Sequence, residues 1–292
     1  MPQTKDLFGF INVFKPQGIT SHDVVSRLRK VLKIKQIGHT GTLDPLAEGV
    51  LPVAIGRAAR LIEYLDEGKA YIASLQFGKV SDTYDTEGKV TDFSDKKVSQ
   101  EKITNALTKF QGEIEQIPPA YSAVHYNGKR LYELAREGIV PDDIPKRKVF
   151  IEKIELVEFD EQNQSAKIEV ECSKGTYIRS IVHDLGQELR CGAVMTGLLR
   201  TKSGKFNIDN AIKLEDITDM QIAQNCLLNP VDILPFNAYK LTEFELEKVK
   251  NGQGVVTQDF CENELVCLVY CDNLAAVAQK SGNKLLVRKV FN

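Results

Sequence analysis

The chain has 292 residues, 42% of them hydrophobic and 27% charged. That balance excludes wholesale disorder, and at ~150 residues per domain the length suggests about two domains. The net charge of −2, from 38 basic and 40 acidic residues, favours no partner class by itself. No apolar run approaches the ~18 residues of a membrane span. Met1 to Phe10 lacks the basic start and apolar core of a signal peptide, so a cytoplasmic protein without membrane attachment is expected. The six cysteines form no CxxC pair and the four histidines do not cluster with them, which favours free thiols and no metal site.

After a turn at Lys15 to Gly18, Val24, Val25, Leu28, Val31 and Leu32 recur at helical spacing, with Ser21 as the expected N-cap. A glycine- and proline-rich segment, Gly38 to Pro52, interrupts the periodicity, and Tyr71 to Phe77 reads as a strand. Lys102 to Phe110 reads as a short helix. His125 to Lys148, with Gly128, Gly138, Pro141 and Pro145, reads mainly as a long excursion from the core, although Leu131, Leu134 and Ala135 suit a short helix. Val149 to Phe159 and Lys167 to Cys172 form a hairpin pattern joined at Gln162-Asn163, with Ile168, Val170 and Cys172 alternating with charged residues. Ile178, Ile181, Val182, Leu185 and Leu189 then mark a helix, which leaves Tyr177 and Arg179 at a strand-to-helix junction. The texture changes near Pro230 to Phe236. Beyond it, a short helical pattern and three strand-like runs suggest a small β-rich domain.

Charge is distributed unevenly. No acidic residue lies between Val24 and Leu43, where Arg27, Arg29, Lys30, Lys33 and Lys35 fall, and Lys146, Arg147 and Lys148 form a second basic cluster. On charge alone a solvated helix face is the better reading of such patches.

The chain has no GxxxxGK[ST] loop, no GxGxxG after a strand, no HExxH and no GxSxG elbow, so nothing in it supports ATP use, hydride transfer or zinc hydrolysis. The densest segment is Gly38 to Pro52, where glycines and prolines enclose Asp44 among apolar residues. Asp44 followed by Pro45 is a common helix start. Equally, a carboxylate on so constrained a loop suits a nucleophile or a general base. A glycosidase pairing Asp44 with Glu48 is a third reading, since four-residue spacing places both on one helix face.

Several separated motifs carry a family resemblance over nearly the whole chain. They are Lys15 to Ser21 (KPQGITS), Gly38 to Pro45 (GHTGTLDP), Lys69 to Tyr71 (KAY), Ser81 to Asp85 (SDTYD), Pro118 to Ala123 (PPAYSA) and Cys172 to Arg179 (CSKGTYIR). In order and spacing they resemble the bacterial tRNA pseudouridine-55 synthases of the TruB type. The resemblance implies an α+β fold: a mixed, largely antiparallel pseudouridine-synthase-like sheet flanked by helices and loops, plus a small C-terminal PUA-like β-barrel. It divides the chain into a catalytic domain over 1–235, with a mobile RNA-clamping loop at about 125–148, and an RNA-binding domain over 236–292.

The family breaks the N-glycosidic bond of a uridine, turns the base and rejoins it through carbon 5, a redox-neutral isomerisation without cofactor or metal. By resemblance Asp44 is the nucleophile, toward either the sugar or the uracil ring. Arg179 pairs with that aspartate and favours its ionised form. Tyr71 stacks on the base and is a candidate to take the proton from carbon 5. Tyr177 and Leu198 line the pocket, His39 enters the space left by the flipped base, Asp85 helps order the site, and Lys15 stands near it. The partner is the TΨC stem-loop of tRNA, with no membrane and no obligate protein partner, and a monomer is expected. Arg27, Arg29, Lys30, Lys33, Lys146, Arg147 and Lys148 are the candidates for phosphate contacts. The chain departs from the family at His125, where lysine is more usual. The runner-up function is a non-catalytic RNA-binding or tRNA-folding factor using the same surface.

Overall fold

The computed structural model describes residues 7–66, 68–141 and 143–291. The first strand, β1 (Gly9–Lys15), is nearly all buried and leads through a tight turn into helix α1 (Ser21–Leu32). Thr20, not Ser21, caps that helix. Its hydroxyl accepts the Asp23 amide while the Asp23 carboxylate accepts the Thr20 amide, a reciprocal box that satisfies two otherwise orphaned donors. Val24, Val25, Leu28 and Leu32 face the core, and Arg27, Arg29, Lys30 and Lys33 face solvent.

The chain continues through β2 (Ile37–His39), β3 (Ala47–Ile55), β4 (Lys69–Phe77) and a small hairpin of β5 (Lys79–Ser81) and β6 (Val90–Asp92). Helix α2 (Gln100–Leu107) and strand β7 (Gly112–Gln116) follow. The excursion at 125–148 is more structured than its composition suggests. It holds the two-residue strands β8 (His125–Tyr126) and β9 (Lys129–Arg130) and helix α3 (Leu131–Arg136), and the buried Leu131 and Ala135 tie it down. The long hairpin β10 (Arg147–Asp160) and β11 (Ser165–Cys172) leads to helix α4 (Ile178–Glu188), strand β12 (Ala193–Ser203) and the short strands β13 (Phe206–Asn207) and β14 (Ile212–Lys213).

One ten-stranded sheet organises these elements in the order β14-β1-β3-β12-β4-β11-β10-β7, with β2 on β3 and β13 on β12. Only the β1–β14 and β3–β12 pairs are parallel, so the sheet is mixed and largely antiparallel, as expected. Helices α1 and α4 pack their apolar faces on it around Ile11, Leu51, Ala73, Leu75 and Met195. In the tail, a helix over Glu243–Lys250 accompanies a five-stranded sheet that curls into a half-barrel. A second core joins that sheet to the first, with Phe10, Val50 and Ala54 packed among Cys267, Val269, Val277 and Phe291. All six cysteines are free. Among the described residues no helix is long and apolar enough to cross a membrane, and no group of His, Cys, Asp and Glu is arranged to hold a metal.

The register lines up one row of residues across four strands. Lys15 on β1 pairs with Gly49 on β3, Gly49 with Arg200 on β12, and Arg200 with Tyr71 on β4. Gly49 is obligatory there. Its φ of +105° is left-handed, and a Cβ would lie 2.3 Å from the Arg200 carbonyl oxygen.

Candidate active site

Asp44 stands not at a helix start but in a tight turn, where the Ala47 amide donates to the Asp44 carbonyl at 3.0 Å before β3 begins. The helix-cap expectation fails because Gly49 must be in extended register with Lys15 and Arg200, which leaves no room for a helical turn. Glu48 therefore lies on strand β3 rather than one helical turn from Asp44, and the glycosidase reading loses its geometric basis.

Four contacts fix the loop. Ser21 bonds both backbone groups of Leu43, the Gly18 amide donates to the Pro45 carbonyl at 2.8 Å, and the Thr40 amide donates to Pro52 at 3.1 Å. From beneath, Arg200 donates to the carbonyls of Gly41 at 3.2 Å, Thr42 at 3.5 Å and Val50 at 2.7 Å. The KPQGITS segment is thus the scaffold of the Asp44 loop. Its Lys15 ammonium, fully buried, donates to the Pro16 and Ile19 carbonyls at 2.9 and 2.8 Å and closes the turn.

Arg179 enters from the first turn of α4. One guanidinium nitrogen lies 3.0 Å from Asp44 Oδ2 and the other 3.3 Å from Asp85 Oδ2, and the same nitrogens donate to the carbonyls of Tyr121 and Thr83. Asp85 is 1% exposed and also accepts from the Thr83 hydroxyl at 2.6 Å and the Glu87 amide at 3.0 Å. The Asp44 side chain, by contrast, keeps 35% of its surface open. One arginine therefore anchors a buried carboxylate and presents an open one, beside a cleft of about 340 Å³ lined by Gln17, Gly18, Pro45, Leu46 and Glu87.

The remaining expected residues distribute around this pair. Tyr71 is buried in the sheet row, paired in register with Arg200. Burial pushes its phenol above the ordinary value, Arg200 opposes that, and Asp44 is near enough to add to the rise. Burial lowers Lys15 to about 8, with Asp44 acting in the opposite sense. His39 is half-buried on β2; burial and Arg200 hold its imidazole toward the neutral form, and its Nδ1 has no protein partner. Tyr177 precedes α4, its backbone clamped by the Gln116 amide at 2.7 and 2.9 Å, and its side chain is half-exposed. Leu198 lies between Ala47 and Ala73 in the sheet, half-buried against the core.

The basic residues stand apart. Arg27, Arg29, Lys30 and Lys33 are exposed on or just after α1, although Arg29 spends one nitrogen on the Ile37 carbonyl. Lys146 and Lys148 already pair with Glu115 and Glu113 across the β10–β7 ladder, and Arg147 is exposed. His125 is exposed on β8.

Three residues escaped the sequence reading as parts of the site: Arg200, Glu87 and Ser21 as a loop anchor. Burial and the Asp85 and Asp44 carboxylates raise the Glu87 carboxyl, and Arg179 opposes them. A local signal existed only for Ser21, inside a motif already noticed. Arg200 and Glu87 become visible through register and loop packing.

The chain is similar to known proteins over most of its length. Residues 29–178 match the model of the TruB family pseudouridylate synthase N-terminal domain, and residues 179–234 match the tRNA pseudouridylate synthase B C-terminal domain. The chain is 43% identical over 288 residues to the tRNA pseudouridine synthase B of Lactobacillus johnsonii, covering 94% of this chain and 95% of that one. It is 43% identical over 291 residues to the same enzyme of Carboxydothermus hydrogenoformans, covering 97% and 98%. Among solved structures, a chain of a Cbf5-Nop10-Gar1 complex superposes with a TM-score of 0.72 at 27% identity, covering 97% of this chain and 84% of that one. A chain of an H/ACA RNP bound to a substrate RNA containing 2'-deoxyuridine gives 0.70 at 26% identity, covering 98% and 85%.

Proposed function

The chain belongs to the TruB family of pseudouridylate synthases, and we propose that it isomerises uridine 55, in the TΨC arm of tRNA, to pseudouridine with Asp44 as nucleophile. The observation that carries this reading is the Asp44–Arg179–Asp85 arrangement. A carboxylate used as a nucleophile has to be ionised, oriented and reachable. Arg179 supplies the charge and orientation, and the open side of Asp44 supplies the access.

The target uridine leaves its stack, at a cost of a few kcal/mol, and enters beside Asp44. Attack by the carboxylate, on the sugar or on the ring, accompanies scission of the bond between N1 and the sugar. The base turns, carbon 5 bonds to the sugar, the bond to the Asp44 carboxylate is released, and the proton of carbon 5 leaves while N1 gains one from solvent. Tyr71, whose ring lies in the same row as Arg200, stacks on the base and takes that proton. His39 fills the vacated stack, and Leu198 and Tyr177 wall the pocket. No electron leaves the system, so the reaction calls for no redox cofactor.

Grip on the RNA comes from backbone contacts, because side chains do not read the deep groove of an A-form stem. The exposed face of α1 offers Arg27, Lys30 and Lys33, and the segment at 125–148 closes over the RNA with Arg147 and its neighbours. The test is to incubate an unmodified tRNA transcript with the protein and map pseudouridine by carbodiimide-dependent primer stops. The reading requires a single stop, at position 55. Stops elsewhere or none would overturn the assigned target.

A further inference from the structure

Among the described residues Arg200 is the largest fully buried side chain, 0% exposed, in the middle of the central sheet. Among the described residues it makes no ion pair with a carboxylate. Its guanidinium instead donates to three carbonyls, of Gly41, Thr42 and Val50, and its strand position pairs directly with that of Tyr71 on β4. A buried charge without a counter-ion is costly, and an apolar side chain would fill the same space more cheaply. The sheet is also built around it. Gly49 on the neighbouring strand lacks a side chain where the Arg200 backbone approaches, and the β12–β4 register shifts just after Arg200, an irregularity of the kind that re-aims a side chain.

Two of those acceptors lie in the loop that carries Asp44 and one lies on β3, while the residue paired with Arg200 on β4 is Tyr71, whose ring is proposed to meet the base. We propose that Arg200 is a positioning residue that holds the Gly41–Thr42 backbone against the strand row that carries Tyr71, so that nucleophile and aromatic ring hold one spacing while RNA enters and leaves. The permanently charged guanidinium acts on the phenol of Tyr71, the group given the carbon-5 proton in the function proposed above, on which this inference rests. Lysine cannot replace it, since an ammonium keeps the charge but lacks the planar fork that spans separate acceptors.

The test compares the full chain with Arg200→Met, Arg200→Lys and Tyr71→Phe by steady-state pseudouridine formation, thermal melting and NMR of protein labelled at the tyrosine ζ carbon. The chain has nine tyrosines, and the resonance lost in Tyr71→Phe assigns the one concerned. The expected result for Arg200→Met is a KM for tRNA within about threefold of native and a kcat lower by roughly 100-fold. Arg200→Lys should lose at least about tenfold in kcat. In both, the Tyr71 resonance moves at neutral pH while the others stay. Native kcat in a folded Arg200→Met protein, or an unmoved Tyr71 resonance, overturns the proposal. Should Arg200→Met fail to fold, Arg200→Lys supplies the same two readouts. Native kcat in Tyr71→Phe would remove the phenol from the reaction, yet the resonance and the kcat of Arg200→Lys would still decide whether Arg200 sets the frame.

Discussion

The hydroxyl of Ser21 holds both backbone groups of Leu43, donating to its carbonyl at 3.1 Å and accepting from its amide at 2.8 Å. It fastens the first residue of α1 to the residue before Asp44. Removing the hydroxyl leaves two buried backbone groups without their partner, at a cost of about 1–3 kcal/mol. Ser21→Ala should therefore lower the urea midpoint and also reduce kcat by about tenfold or more, because the loop carrying Asp44 loses its lateral anchor. Native kcat with lowered stability would separate the anchor from catalysis.

Arg179 joins a buried Asp85 to an accessible Asp44, so its loss acts on stability as well as on chemistry. Arg179→Met leaves the Asp85 carboxylate buried without its charge partner, and a destabilisation of about 3–5 kcal/mol is expected. Adding Asp85→Asn should recover much of that stability without recovering activity. Chemical denaturation of the two single variants and the double variant measures the coupling.

Asp184 on α4 lies outside the reaction and gives a separate check on the electrostatics. Burial raises its carboxyl from 3.8 to about 6. The folded state then binds more protons than the unfolded chain between those values, so the group favours folding at low pH and opposes it once pH rises through about 6. Asp184→Asn should thus stabilise the protein near pH 7.5 and change little near pH 4. Melting temperatures at the two pH values decide it.

The phosphate contacts divide by what the cations already do. Lys30 and Lys33 are exposed on or just after α1, whereas Lys148 lies 2.9 Å from Glu113. Replacing Lys30 and Lys33 by alanine should weaken tRNA binding and reduce the slope of log affinity against log salt by about 0.7–0.9 per contact. Lys148→Ala should change that slope less. Filter binding across a salt series reads both.

Much of the architecture is legible in the residues themselves. The alternation of Ile168, Val170 and Cys172 places β11, and the spacing from Val24 to Leu32 places α1, since each buries one face against the core. The Asp44 turn is not legible, because aspartate followed by proline suits a helix start and a β-turn equally; Gly49 decides, through contacts made with strands far along the chain. Thr20 and Ser21 both suit a cap, and only the position of Leu43 shows which hydroxyl is needed elsewhere. Arg200 looks like an ordinary strand residue until the β3–β12–β4 register sets it among Gly41, Thr42 and Tyr71. Lys146 and Lys148 read as free cations because their partners, Glu115 and Glu113, sit about thirty residues upstream and meet them only across a ladder. The ordered motifs, rather than any one side chain's chemistry, pointed to uridine isomerisation.

The measurement closest to the central claim is tritium release from carbon-5-labelled uridine in an unmodified tRNA transcript, with the native protein and with Asp44→Asn. The substitution nearly preserves shape and removes the charge opposite Arg179. Release by the native protein and none by the variant, with tRNA binding retained by both, is the result expected of a nucleophilic Asp44. Release by Asp44→Asn at the native rate would reduce Asp44 to a structural turn residue, and binding without release by either protein would leave an RNA-binding factor instead of an enzyme.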